Sequence, residues 1–213
     1  MNKFYWIIIP FISSKFKLKT TLPYIITHIS TFIWIIIPFR QRHEKYFMYF
    51  LFNAISDPLT LLLRIVFHSG SNIFYIAYPI LILAALRSRK TWKKYWVFYI
   101  IGSIIFSIII EKYFNFTTEI IIDTIFHSMI LYIFLKAFVL KVIKTQKLNI
   151  FIFLLIFTEL LIITKDISLL TGFTNGYVYF YLTNGLQLLI GIFFYIFKEN
   201  DRRIEFQFSK DAF

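Results

Sequence analysis

The chain contains no cysteine, which excludes disulfide frameworks, thiolate nucleophiles, Cys-ligated zinc, iron–sulfur clusters and S-palmitoylation together. Charge is the next shortage. Asp, Glu, Lys and Arg make up 16% of the residues, where a water-soluble domain carries about a quarter. The acidic residues are the scarcer, 11 against 23 Lys and Arg, for a net charge of +12. The cations lie in short clusters between long apolar runs and not along one polar face, so they point to membrane topology and not to a nucleic-acid partner.

Missing motifs narrow the chemistry further. The last apolar segment, residues 177–197, holds no lysine, so a retinal Schiff base as in microbial rhodopsins has no anchor. The Pro-Gln kinks of PQ-loop carriers are absent, as are Gly-x-Ser-x-Gly, His-x-x-x-His and His-Glu-x-x-His. No cofactor is implied.

What is present is apolar: 59% hydrophobic and 22% aromatic residues in a chain of 213, with a mean hydropathy of +0.71. Seven segments bounded by charge or turn residues are long enough to cross a bilayer, at about 21–39, 46–67, 73–86, 96–110, 119–140, 149–164 and 177–197. The fold expected is all-α, a polytopic bundle of seven transmembrane helices. Residues 1–20 form a basic arm, 21–197 the membrane domain and 198–213 a short tail. The arm begins like a signal peptide, but Pro10 interrupts its apolar stretch and no small-x-small site follows. It is expected to be retained in the interface.

Orientation follows from Lys and Arg. Arg40, Arg42 and Lys45, then Arg87, Arg89, Lys90, Lys93 and Lys94, then Lys136, Lys141, Lys144 and Lys147, and last Lys198, Arg202, Arg203 and Lys210 alternate onto one side, sixteen in all. The opposite side has Lys112 and Lys165, together with Lys3, Lys15, Lys17 and Lys19 of the arm. Sixteen against six puts the basic connections and the C-terminus in the cytoplasm and the N-terminus outside. Trp92, Tyr95 and Trp96 read as an interfacial anchor beside five of these cations. The hexapeptide Trp-Ile-Ile-Ile-Pro-Phe occurs at residues 6–11 and again at 34–39 with unlike flanks, a coincidence or local duplication and not a folding repeat.

An ionisable group deep in a bilayer costs about 2.5–3.5 kcal/mol, so each needs a reason. Asn53, Asp57, Thr60 and Arg64 recur at helical spacing along one stripe, and Asp57 with Arg64 is expected to form an internal pair. Pro58 would free a backbone carbonyl beside them. Glu119, Asp123 and His127 recur every four residues, with Asp123 placed to hold His127 in one tautomer. Counted from the outer helix ends, His28, Asp123, His127, Glu159 and Asn184 share one depth, with Gln187 close by. An outer-half polar pocket built from Asn53, Asp57, Arg64, Asp123, His127, Glu159, Asn184 and Gln187 is therefore the expected ligand site. His28, Asp123 and His127 are the candidates for a metal.

In helix count, the pair Ser56-Asp57 and scattered histidines, the chain resembles seven-helix, metal-dependent membrane hydrolases; where those have a last-helix histidine pair it has Asn184 and Gln187. In layout, from Arg40 to Phe197, it resembles small seven-helix bacterial integral membrane proteins of uncharacterised function and the membrane sensor modules of seven-helix receptor kinases. That resemblance implies a multi-pass protein of a bacterial cytoplasmic membrane, a non-enzymatic sensor or accessory subunit. Its partners would be the lipid bilayer and a cytoplasmic or membrane signalling protein. A metal-dependent lipid hydrolase using His127 and Asp123, and a proton-coupled transporter using Asp57 and Arg64, are the alternatives.

Overall fold

Every one of the seven apolar runs folds as a helix. The computed structural model describes residues 18–67, 73–87, 89–172 and 176–207. Among them, α1 spans Leu18–Arg40, α2 Phe47–Phe67, α3 Ile73–Arg87, α4 Arg89–Tyr113, α5 Phe116–Thr145, α6 Ile150–Thr171 and α7 Gly176–Ile196. The basic arm up to residue 17 and the side chains of Asp57 and Arg64 lie outside the described residues. Helix α2 runs on through Pro58.

Local chemistry sets the ends of the two helices that matter most below. Asn115 caps α5, its side chain accepting from the Thr118 N–H, and Gln146 closes the other end in the left-handed region at φ 53°. Asn149 caps α6 through the Ile152 N–H, and Gly172 ends it at φ 68°, a conformation that favours glycine. Helix α6 thus extends to Thr171, seven residues beyond the end expected at 164, and carries Lys165 and Asp166 within the helix instead of in a connection. Two helical stretches among the described residues, Thr91–Tyr113 and Phe116–Thr145, are long and apolar enough to cross a membrane. Shorter apolar stretches cover His28–Arg40, Ile76–Arg87 and Thr183–Ile196. Seven crossings therefore do not follow from helix length and composition alone.

Packing runs α1 to α2 to α3 to α5 to α6 to α7 and back to α1, closing a ring of six helices, while α4 lies outside against α3 and only grazes α5. The centre is aromatic. Tyr49, Phe50, Phe134, Phe151 and Phe194 are fully buried, and Phe50 and Phe151 each meet Phe194 edge-on with centroids 4.9 Å apart, a geometry the ring quadrupoles favour. Helices α1 and α7 come together at Gly191, where a Cβ would lie 3.1 Å from Ile33 and 3.2 Å from the Trp34 indole nitrogen.

The basic connections share one end of the bundle. Buried Gln41, just after α1, donates to the carbonyls of Phe194 and Phe197 at 2.6 and 2.8 Å, the first in the last turn of α7, where no following helix turn supplies a donor, and the second just beyond it. Lys198 approaches Glu44 at 3.7 Å. The segment after α7 is more than a loose tail. A 3-10 turn, Arg202–Ile204, leads into β2, Glu205–Gln207, which pairs antiparallel with β1, Lys147–Asn149. The two short strands are fastened by Lys141 to Glu205 at 2.9 Å and by Asn149 donating to the Glu199 carbonyl at 3.1 Å.

Candidate functional site

A stripe of α5 at spacings of three and four, Ile120, Asp123, His127, Ile130 and Phe134, faces the core, as the sequence periodicity requires of the inward face. It carries the His127 imidazole to a fully buried position between α3 and α6. Nδ1 lies 2.7 Å from Glu159 Oε2 and Nε2 lies 2.7 Å from the Tyr78 hydroxyl. The other oxygen of Glu159, also fully buried, accepts from the Tyr49 hydroxyl at 2.7 Å. One unbroken hydrogen-bonded chain therefore joins Tyr78 of α3, His127 of α5, Glu159 of α6 and Tyr49 of α2.

Two further carboxyl groups stand beside it. Asp123 Oδ1 is 3.8 Å from His127 Nε2 and is buried without a hydrogen-bond partner among the described residues. Asp166, two turns beyond Glu159 on α6, receives the Thr124 hydroxyl at 3.4 Å and lies within electrostatic reach of His127. Three carboxyls thus surround one imidazole. The nearby cation, Lys165, donates to the Gln187 side chain at 2.8 Å.

Asp123, His127 and Glu159 come together as the depth argument expects, but the roles differ. Glu159, not Asp123, fixes the Nδ1 side of the ring, because Asp123 sits one turn away on the same helix and looks toward Nε2. His28 does not join them. It is exposed on α1, which removes it from the candidate metal set, and among the described residues no three His, Asp or Glu side chains form a group suited to a metal. Asn53 serves its own helix by donating to the Tyr49 carbonyl at 2.9 Å. Asn184 is half-buried on α7, and the Gln187 carbonyl accepts from Trp34 at 3.2 Å. The expected Asp57–Arg64 pair lies outside the described residues.

The depth also shifts. With α6 ending at residue 164, Glu159 would lie about 8 Å from its C-terminal end; with the helix ending at Thr171 it lies about 18 Å away. Tyr49 is the third residue of α2, at the basic end. Tyr78 and His127 lie nearer the ends of α3 and α5 remote from the basic connections, so the chain runs from that half of the bundle to the basic end. Tyr49, Tyr78 and Asp166 are site residues that the sequence reading does not name, and it takes Lys165 only as a cation of a connection. Tyr49 precedes Asn53 by four and so continues the Asn53, Asp57, Thr60, Arg64 stripe, and Asp166 follows Glu159 by seven; both signals were present in the spacing. Nothing in the sequence distinguishes Tyr78 from thirteen other tyrosines.

A second feature lies on the exposed side of α5. A cleft of about 400 Å³ is lined by apolar atoms of Leu83 from α3 and of Ile125, Met129, Tyr132 and Ile133, with Thr124 and Ser128 between. Neither His127 nor Glu159 opens into it.

No protein family, curated protein or solved structure matches the chain.

Proposed function

We propose that the protein is a multi-pass membrane protein whose seven helices cross the bilayer with the basic connections in the cytoplasm, and that it acts as a non-enzymatic sensor or accessory subunit through a proton-responsive centre at His127. The observation that carries this is the buried imidazole held at both nitrogens by side chains of two other helices, Glu159 on α6 and Tyr78 on α3.

Three features support the membrane placement. Helices α4 and α5 expose large apolar side chains along their length, among them Phe98, Ile101, Ile105, Ile121, Ile125 and Met129, far more than a water-facing surface tolerates. Hydroxyls along the helices serve their own backbone: Ser107, Thr124, Ser128, Thr158, Thr164 and Ser168 each donate to the carbonyl four residues earlier, a way to satisfy them where water is absent. The basic connections that the packing gathers at one end are those with the excess of Lys and Arg.

The centre has two self-consistent protonation states. With one proton, the ring donates from Nδ1 to Glu159 and accepts the Tyr78 hydroxyl at Nε2. With two, Nε2 becomes a donor, Tyr78 must turn its own proton elsewhere, and Asp123 Oδ1 at 3.8 Å gains a reason to close on the ring. Gaining or losing one proton thus rewrites contacts among α2, α3, α5 and α6. The groups around the ring are Asp123 from its own helix, Glu159 and Asp166 from α6 and Tyr78 from α3, with Tyr49 from α2 on the far oxygen of Glu159.

The test is the melting temperature of the protein in lipid nanodiscs between about pH 5 and 8. Wild type should show a pH-dependent component that His127→Gln lacks; identical profiles would overturn the proton-responsive reading. A proton-coupled carrier is the second reading, favoured by three carboxyls around one imidazole, and proton flux in proteoliposomes that disappears in Glu159→Gln would select it. The hydrolase reading is disfavoured, since neither His127 nitrogen is left for a cation and the Ser56 hydroxyl donates to the Asn53 carbonyl of its own helix.

A further inference from the structure

The cleft on α5 is separate from the His127 chain and has its own chemistry. Ile125, Met129 and Tyr132 are about half or more exposed and, with Lys136, continue one stripe at spacings of four, three and four along α5. Tyr132 and Lys136 are therefore neighbours on the same face, with the cation one turn, about 5 Å, toward the basic end. On α3 the same relation recurs: Leu83 lines the cleft, and Arg87, four residues on, is the exposed last residue of the helix. Neither Lys136 nor Arg87 forms an ion pair among the described residues. The hydroxyls of Thr124 and Ser128 in the lining donate to the Ile120 and Thr124 carbonyls, so the wall is apolar except for the Tyr132 hydroxyl, the one side-chain donor left among the lining residues and one turn from Lys136.

An apolar trough about two turns long, with two cations one turn beyond it toward the basic end that form no ion pair among the described residues, is complementary to a molecule with a hydrocarbon chain and an anionic head. We propose that this cleft is a binding site for one anionic phospholipid, an acyl chain lying along Ile125, Met129 and Tyr132 and the phosphate meeting Lys136 and Arg87. A zwitterionic lipid fills the trough equally well but brings its own ammonium group to the two cations, so the site discriminates by headgroup charge. This inference rests on the membrane placement but not on the His127 centre.

The experiment is native mass spectrometry of the full chain, purified from membranes and equilibrated with equal amounts of phosphatidylglycerol and phosphatidylcholine. Wild type should retain phosphatidylglycerol several-fold over phosphatidylcholine, and the double variant Lys136→Gln/Arg87→Gln should bring the ratio near one. Lys144→Gln, in the last turn of the same helix, should leave the ratio unchanged, which separates a site from the general positive charge of that end. Met129→Trp, which fills the trough at an exposed position, should reduce retention of both lipids; should it not fold, the charge variants still decide. A double variant that keeps the wild-type preference, or a Lys144→Gln variant that loses as much of it, would overturn the site. Recovery of the chain in the soluble fraction would instead count against the membrane placement, so the two failures are distinguishable.

Discussion

Tyr49 and His127 hold the two oxygens of a single carboxylate: the hydroxyl donates to Glu159 Oε1 and the imidazole lies on Oε2, each at 2.7 Å. The three residues come from α2, α5 and α6, so one side chain ties together half of the six-helix ring. Because all three are buried, none can fall back on water when a partner is lost.

The pair His127 and Glu159 should therefore be energetically coupled. Removing one partner of a buried ion pair or charged hydrogen bond costs about 3–5 kcal/mol, largely through the group left behind, and removing both costs much less. His127→Ala and Glu159→Gln should each lower the melting temperature, and the double variant should lose less than the two losses added together. Additive losses in detergent-solubilised protein would show that the contact carries no energy of its own.

The two tyrosines should differ. Tyr49→Phe leaves a buried oxygen of Glu159 without its donor, at about 1–3 kcal/mol. Tyr78→Phe leaves His127 Nε2 in the same position, but Asp123 Oδ1 stands 3.8 Å away and can accept from the ring once Nε2 is protonated. Tyr49→Phe should be the more destabilising at neutral pH, and the Tyr78→Phe deficit should shrink as pH falls. Equal deficits that stay constant with pH would rule out a substitute role for Asp123.

Periodicity made the seven helices and the inward face of α5 legible, since Asp123 and His127 share a stripe with Ile120, Ile130 and Phe134. It also brought Glu159 toward His127, because depth alone limits which polar groups can meet. What it could not give was rotation of one helix against another, which is decided by packing of side chains such as Phe50, Phe151 and Phe194. His28 therefore faces out while Tyr78, undistinguished in sequence, faces in. Lys165 was misplaced for a different reason. Two charges in a row look like a connection, yet the Gln187 side chain takes the lysine and the helix continues to the glycine at 172.

Topology can be checked directly, because a chain without cysteine is a clean background for single-cysteine labelling. Cysteines placed at Asn115 and Thr171, at the ends remote from the basic connections, should react with a membrane-impermeant maleimide in intact cells. Those at Arg42 and Gln146 should react only after permeabilisation. The reverse pattern would invert the orientation, and labelling of all four in intact cells would remove the membrane-spanning reading.

The strand pair at the basic end gives the last prediction, because two glutamates there respond to pH with opposite sign. The hydrogen bond and charge of Lys141 hold the Glu205 carboxyl below its ordinary 4.5. Its contribution to stability is present above about pH 4.5 and is lost as pH falls through the lowered value. Glu199 is pushed the other way. Burial raises its carboxyl above 4.5, against the opposing effect of Lys45 and Lys141, and its Oε2 has no hydrogen-bond partner among the described residues. Its ionisation therefore works against folding, and that penalty appears as pH rises from about 4.5 through the raised value. Glu205→Gln should cost up to about 1 kcal/mol of stability at pH 7, an amount typical of a partly exposed ion pair, and so lower the melting temperature. Glu199→Gln, which keeps an oxygen to accept from the Lys45 N–H, should raise it. The Glu199→Gln gain should vanish as pH falls below about 4.5, while the Glu205→Gln deficit should persist there and close only as pH falls through the lowered value of that carboxyl. Shifts of the same sign at pH 7 would mean that β1 and β2 do not hold these two side chains in different surroundings.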